Sequence, residues 1–400
     1  MFELVDSVQD KPVIKVIGVG GGGGNAVKHM IASEVEGVDF ICANTDAQAL
    51  KDIEARTILQ LGNNITRGLG AGANPDVGRQ SAMEDRERIA EVLQGADMVF
   101  ITAGMGGGTG TGGAPIVAEI AKDLGILTVA VVTRPFKLEG KKRSTVAEEG
   151  ILELRDKVDS LITIPNDRLM EVLGAKVTMK AAYKEADNVL LGAVQGIADL
   201  MIRPGIMNVD FADVRTVMSE MGMAMMGSGA AVGENRAREA AEKAVRSPLL
   251  DNVNLQGARG ILVNIITGSE EAGCSELTLG EYSEVAEIVQ EIASDEATVV
   301  IGTAVDDKLG DEMRVTVVAA GLGEGVQQAA RPTKVVDNTT RRPEPTESRG
   351  GQNAQNPVAR QRPEVEVERQ RTRTAAAQGL GAGDDMEYLD IPAFLRRQAD

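Results

Sequence analysis

Two stretches of glycine constrain what this chain can fold into more than any other feature. The first, "VIKVIGVGGGGGNAV", is an apolar run, five consecutive glycines and the start of a helical pattern. The second, "AGMGGGTGTGGAP" at Ala103–Pro115, stands between the apolar run "DMVFITA" and the helical run "PIVAEIAKDL", with Pro115 suited to a first helical turn. Strand, glycine turn and helix in that order leave free backbone N–H groups and the positive end of a helix dipole where an anion can approach. A turn alone would not call for five glycines, each of which loses more chain entropy on folding than any other residue. Two such turns on successive strands of one sheet imply one polyphosphate held from two sides.

Gly18, Gly20 and Gly23 satisfy G-x-G-x-x-G, and Asp46 follows the next strand, where a dinucleotide fold keeps its ribose-binding acid. Taken alone, that motif equally fits an NAD-dependent dehydrogenase, a reading that leaves the second turn unexplained. Neither turn carries the G-K-[ST] of a Walker loop, and neither carries an acid or a base. Asp210 and Asp213 in "GIMNVDFADVRTVMSEMG", with Asn208 close by, do have carboxylates to offer. As residues they read as a helix cap and a dipole partner. A non-catalytic nucleotide-binding scaffold therefore stays open at this point.

From Val13 to Pro165 apolar runs alternate with helical ones: "VIKVIGV", "VDFICAN", "DMVFITA", "ILTVAVV" and "SLITIP" read as strands, "NAVKHMIASEV", "RQSAMEDRERIAEVLQ" and "PIVAEIAKDL" as helices. Continuously apolar strands separated by helices predict a parallel sheet covered on both faces, a Rossmann-like α/β domain. A long helix is expected at about Lys180–Met201. A second, α+β unit follows to Gly321, with strands in "ARGILVNIITG", "ATVVIGTAV" and "MRVTVVAAG" and a helix in "LGEYSEVAEIVQEIAS". The methionines of "MSEMGMAMMGSG" read as core and sheet packing. The expected divisions are a flexible extension (1–12), a nucleotide-binding domain (13–178), a central helix (179–202), a second domain (203–322), a disordered linker (323–382) and an apolar-rich anchor peptide (383–400). The linker has almost no large apolar residue with which to fold.

Composition removes several classes. The 400 residues carry a formal net charge of −18, which repels nucleic acid and lipid headgroups, and aromatics are only 2%, too few for base-stacking platforms. The single histidine, His29, reads as a surface or packing residue, which leaves no Ser-His-Asp triad or histidine-held metal. Cys42 and Cys274 lack metal-ligand spacing and read as buried thiols in a reducing cytosol. The start "MFELVDSVQDK" does not read as a signal peptide, and no apolar run reaches the ~18 residues of a membrane span.

"GGGTGTG" at Gly106–Gly112, with "GVGGGGGNAV", "NTDAQAL", "ITRGLGAGANPDVGR", "SLITIPND" and "MNVDFADVRTVMSEMG", resembles the FtsZ family of bacterial tubulin-like cell-division GTPases. The resemblance covers the folded part and resumes in "LDIPAFLRRQAD" at the end. It implies the tubulin/FtsZ fold, GTP and GDP as ligands with Mg²⁺, and head-to-tail filaments at a cytoplasmic mid-cell ring. It also implies that the last peptide docks on FtsA- and ZipA-like membrane tethers.

The resemblance further implies which residues hold the nucleotide. Gly20, Gly21, Gly22, Gly23 and Asn25 would contact phosphates. Gly104 and the loop Gly106, Gly107, Gly108, Thr109, Gly110 and Thr111 would wrap the α- and β-phosphates, and Gly70, Ala71, Gly72 and Ala73 would sense the γ-phosphate. Asn44 and Asp46 would lie beside the nucleotide, and Glu139 and Arg143 at the ribose and phosphates, although as bare sequence these two read as a solvated surface pair. Asp187 would accept both guanine N–H groups with Asn166 assisting, and Tyr183, usually Phe in the family, would pack on the base. Asp210, Asp213 and Asn208 would enter the next subunit's site, where the two acids would polarise the attacking water or hold the cation that helps, and Asn208 would orient it.

Overall fold

The structure, a computed structural model, describes residues 11–322 apart from 175, 204, 221, 251–256 and 272. The linker, the anchor peptide and residues 1–10 of the extension lie outside the described residues. Lys11 is within them, its Nζ donating to the Ile202 carbonyl at 3.1 Å.

The chain begins β1 (Ile14–Val19), α1 (Gly20–Ala32), β2 (Val38–Asn44), α2 (Ala47–Leu50), β3 (Thr57–Gln60), α3 (Asn63–Thr66), α4 (Pro75–Glu84) and α5 (Arg86–Leu93). It continues β4 (Met98–Gly104), α6 (Thr109–Asp123), β5 (Leu127–Arg134), α7 (Lys141–Arg155), β6 (Ser160–Pro165), α8 (Asn166–Leu173) and the long α9 (Met179–Ile202). Then come α10 (Phe211–Met218), β7 (Gly222–Ala231), α11 (Arg236–Val245), β8 (Gly260–Thr267), α12 (Leu279–Ile292), β9 (Thr298–Val305) and β10 (Met313–Leu322).

All ten strands form one sheet in the order β3-β2-β1-β4-β5-β6-β7-β10-β8-β9. From β3 to β7 it is parallel, while β10 runs antiparallel to both β7 and β8. The join is Ser160–Ile162 of β6 against Gly222–Ala224 of β7, so the two expected units share a sheet as well as a helix. Alternate residues of β1 explain the two-sided burial. Ile14 and Val16 pack in one core with α1 and α9, and Ile17 and Val19 pack in another with α6 and α7. The long helix buries Leu190, Val194 and Ile197, each worth roughly 2 kcal/mol relative to exposure.

Four local expectations change. The helix after the first glycine turn starts at Gly20, so the glycines are its opening turns. They let it lie against the sheet: a Cβ on Gly23 would stand 2.2 Å from the Thr102 carbonyl oxygen. Pro115 is the seventh residue of α6, not in its first turn, because half of the second glycine stretch is already helical. "RQSAMEDRERIAEVLQ" breaks at Asp85, whose carboxylate turns inward to accept from Gly62 N at 2.7 Å and Arg88 Nη1 at 2.8 Å. Cys42 is buried, and desolvation pushes its thiol up to about 12, whereas Cys274 is only half-buried. The methionine stretch does supply core and sheet: Met218 and Met226 are buried, Met226 within β7.

Candidate functional site

The chain leaves β1 toward β2 and β3 on one side, and β4 toward β5 and β6 on the other. The crevice beyond the carboxyl ends of β1 and β4 is therefore a topological switch point, the usual place for a ligand in such a sheet. Both α1 and α6 begin there, and among the described residues no side chain caps either start. Their first-turn N–H groups are left for a ligand. The two starts touch: a Cβ on Gly20, at φ +74°, would lie 2.8 Å from Gly110 N.

The resulting cleft has a volume of about 290 Å³. Gly21, Gly22 and Asn25 line it from α1, and Gly104, Gly107, Gly108, Thr109 and Gly110 from the second glycine stretch. Gly72, Glu139, Arg143, Asn166, Tyr183 and Asp187 complete the expected set within it. A neighbouring recess of about 480 Å³ adds Ala73 and Gly106. The loop carrying Gly72 is tied in by Gly108 N, which donates to the Gly72 carbonyl at 3.0 Å.

Other expected residues stand behind this lining. Gly23 packs against the sheet. Thr111 turns its hydroxyl inward to accept from Gly106 N at 2.8 Å, which holds the glycine bend at φ +93°. Asn44 is buried and its Oδ1 accepts from Asp46 N at 3.2 Å. Asp46 caps α2, its Oδ1 accepting from Gln48 N at 2.8 Å and Ala49 N at 3.3 Å. Gly70 N donates to the Thr45 carbonyl at 3.2 Å, and Ala71 is buried.

Of the expected surface pair only Glu139 is withdrawn from solvent, while the Arg143 side chain stays 50% exposed. The Glu139 side chain is only 11% exposed and lies 3.2 Å from Arg143 Nε. Its Oε1 accepts from Phe136 N at 2.8 Å. Spacing in sequence could not show that the turn after β5 folds this pair into the cleft wall. Tyr183 meets Phe136 edge-on, ring centroids 5.3 Å apart. Burial and the Glu139 carboxylate push its phenol above the ordinary range. Asn166, 4% exposed, holds an Oδ1 with no hydrogen-bond partner among the described residues. Burial pushes the Asp187 carboxyl up to about 6, against a smaller opposing effect of His29. A desolvated carboxyl and an amide oxygen without a partner among the described residues line the same cleft. Such groups fit a ligand that brings its own N–H donors.

Sequence reasoning missed the apolar walls Met105, Pro135, Ala186 and Leu190. Helical spacing offered a signal for two of them, since 183, 186, 187 and 190 share one face of a helix. Lys142 of the neighbouring recess was also missed.

Asp210, Asp213 and Asn208 are exposed and line neither cavity. Asp210 does cap α10, its Oδ1 accepting from Asp213 N at 2.8 Å, and Asn208 Oδ1 accepts from Gly205 N at 3.0 Å. The other Asp210 oxygen and the Asp213 carboxylate remain toward solvent. On α10, Arg215 Nη2 donates to the Gly125 carbonyl at 3.2 Å. Gly125 lies just before β5, and Thr133 near the end of β5 lines the cleft. From Gly125 to Thr133 at about 3.3 Å per residue is about 26 Å. The acids and the glycine cleft therefore occupy opposite ends of the same sheet.

Comparison with known proteins agrees with this architecture. The Tubulin/FtsZ family, GTPase domain, matches residues 13–174, and the FtsZ family, C-terminal domain, matches residues 222–323. The chain is 62% identical to the cell division protein FtsZ of Pseudomonas putida, over all of both chains. It is 59% identical to that of Coxiella burnetii over 99% of each. A solved structure described as an empty FtsZ dimer from M. jannaschii superposes with a TM-score of 0.73 at 44% identity, covering 78% of this chain and 88% of that one. CetZ1 from Haloferax volcanii, a GDP-bound monomer, shares the fold at a TM-score of 0.67 and 20% identity, covering 79% and 96%.

Proposed function

The chain belongs to the FtsZ family of tubulin-like cell-division GTPases, and on that premise we propose that its GTP is cut at a site shared between two copies. Family membership makes it a GTP-binding, self-assembling GTPase. The observation that carries the shared site is the separation of the glycine cleft from Asp210 and Asp213 by the length of the sheet. Residues 13–178 are read as the GTP-binding domain, 179–202 as the central helix and 203–322 as the assembly domain.

In this reading the amides at the starts of α1 and α6 hold the α- and β-phosphates, and Gly70–Ala73 meet the γ-phosphate. Asp187, ionised, accepts the two N–H groups of the guanine edge, and Asn166 Oδ1 gains a partner. Adenine would leave Asp187 unpaired, which is a stronger penalty than a lost attraction. Tyr183 covers the base, and Glu139 orients Arg143. Asp210 and Asp213 of the next copy polarise the water that attacks the γ-phosphorus, Asn208 orients it, and GDP leaves. Mg²⁺ would enter on the nucleotide's own phosphate oxygens, since among the described residues no three His, Cys, Asp or Glu side chains cluster.

A cleft at one end and acids at the other make a heterologous contact, which repeats without closing and builds a filament. Cutting GTP at that contact weakens it and gives turnover at a mid-cell ring. No helix among the described residues is long and apolar enough to cross a membrane. Attachment is assigned to FtsA- and ZipA-like tethers that bind the 383–400 peptide, with Arg396 and Arg397 meeting an acidic rim.

The test is GTPase rate against protein concentration. The specific rate should rise from near zero above a threshold, and a constant specific rate over the whole range would sink the shared site. Asp210→Ala should still bind GTP while its turnover falls by about 10² or more, the scale of losing a group that acts only on the transition state. Deleting the last dozen residues should leave the rate intact and abolish binding to the tethers.

A further inference from the structure

Thr45 is a residue that neither the glycine motifs nor the cleft lining singles out. It follows β2, is fully buried, and sits where three segments around the cleft converge. Its Oγ1 is 2.6 Å from Oγ1 of Thr109, the first residue of α6. Its carbonyl accepts from Gly70 N at 3.2 Å and from Thr66 Oγ1 at 3.2 Å. One residue thus ties the start of the phosphate-facing helix to the loop that carries Gly70–Ala73.

The side-chain bond has a direction to settle. A hydroxyl has one proton to donate and two lone pairs to accept with. Thr109 lines the cleft, so its proton has somewhere useful to go. Thr45 is sealed off, and Thr109 is its side chain's only hydrogen-bond partner among the described residues. If Thr109 donated to Thr45, the Thr45 proton would be buried without an acceptor, and an unmet buried donor is a desolvation penalty. The satisfied arrangement has Thr45 donating to Thr109, which frees the Thr109 proton to point into the cleft. An anion there completes the chain Thr45 to Thr109 to phosphate oxygen, and each bond in such a chain polarises the next.

The structure assigns Thr45 as a positioning residue that orients the Thr109 hydroxyl as a donor to the bound nucleotide's phosphates. The inference rests on the reading of the cleft as the GTP site. Thr45 does not touch nucleotide and acts through Thr109 alone. Its carbonyl bonds to the Gly70 loop belong to the backbone and survive any side-chain change.

The test uses the full chain and equilibrium GTP binding below the assembly threshold, with turnover measured above it. Thr45→Val keeps the shape and removes the proton. It should weaken GTP binding by roughly tenfold, the scale of one hydrogen bond to a charged group. Turnover at saturating GTP should stay within about twofold, because the bond is made to the bound ground state as well as the transition state. Thr45→Ser should restore binding. Thr109→Val should show a loss at least as large, and the double variant Thr45→Val/Thr109→Val should bind no worse than Thr109→Val alone, since the two residues act as one unit. Should Thr45→Val fail to fold, as judged by its thermal midpoint, Thr45→Ala carries the same expectation.

Wild-type affinity in a folded Thr45→Val or Thr45→Ala overturns the assignment. So do additive losses in the double variant, or a failure of Thr45→Ser to restore binding. If the unmodified chain itself binds no GTP, the reading of the cleft fails instead, and the two failures are told apart by that control.

Discussion

Asp187 shows how one side chain's surroundings set a pH window. Burial holds its carboxyl at about 6 rather than 3.8, so below about pH 6 the unliganded carboxyl carries a proton that the proposed guanine contact requires it to lose. The affinity of the monomer for GTP should therefore weaken about tenfold between pH 7 and pH 5. Calorimetric titration at fixed ionic strength would check this, and a flat profile would exclude Asp187 as the acceptor. Asp187→Asn should bind GTP at least about tenfold more weakly at pH 7, with that pH dependence removed. Without nucleotide the same shift acts on the fold. The unfolded chain sheds the proton first, so this group's contribution to stability declines as pH rises from 3.8 to about 6. The residue type was legible as a guanine acceptor only through family resemblance; that it is desolvated depends on α9 lying against the cleft.

At the scale of elements, glycines govern how closely helices approach. A Cβ on Gly112 of α6 would lie 1.9 Å from the Pro75 carbonyl oxygen of α4, and one on Gly78 of α4 would lie 2.2 Å from the Gly108 carbonyl oxygen. These helices are locked face to face, and the loop entering α4 carries Gly70–Ala73. Gly112→Ala should drive them apart at about 1–3 kcal/mol. For a domain of this size that lowers the thermal midpoint by roughly 3–8 °C. GTP affinity should fall with it, because the loop moves with α4; an unchanged midpoint and affinity would contradict the locking. Long apolar strands and the long helix were readable because their patterns are continuous. β3 was missed because it is four residues long with Ile58 half in solvent, and the methionine stretch, read as core and sheet packing, was not bounded as a strand because its glycines carry little strand preference.

For the whole molecule, the arrangement of halves makes a mixing experiment decisive. Asp210→Ala keeps its cleft and loses its acid, whereas Asp187→Ala loses base recognition and keeps its acids. Each alone should turn over GTP poorly. Mixed, the acids of the second can meet the intact cleft of the first, and the rate should exceed the sum of the two separate rates. No gain on mixing would mean that each copy cuts its own GTP, against the heterologous contact.

The amino-acid sequence by itself determined that two strand–glycine–helix units face a polyphosphate without supplying an acid, because free amides and dipole ends follow from local chain order. It also marked Asp210 and Asp213 as acids near a helix start, with capping as the plain local explanation. The tertiary structure decided which of these groups share a space. Parallel strand order put both glycine turns at one end of the sheet, and the packing of α10 beside Gly125 put the acids at the other. That distance is a property of sheet topology, a sum of long-range pairings that no local pattern contains, and it is the observation on which the proposed two-copy site rests.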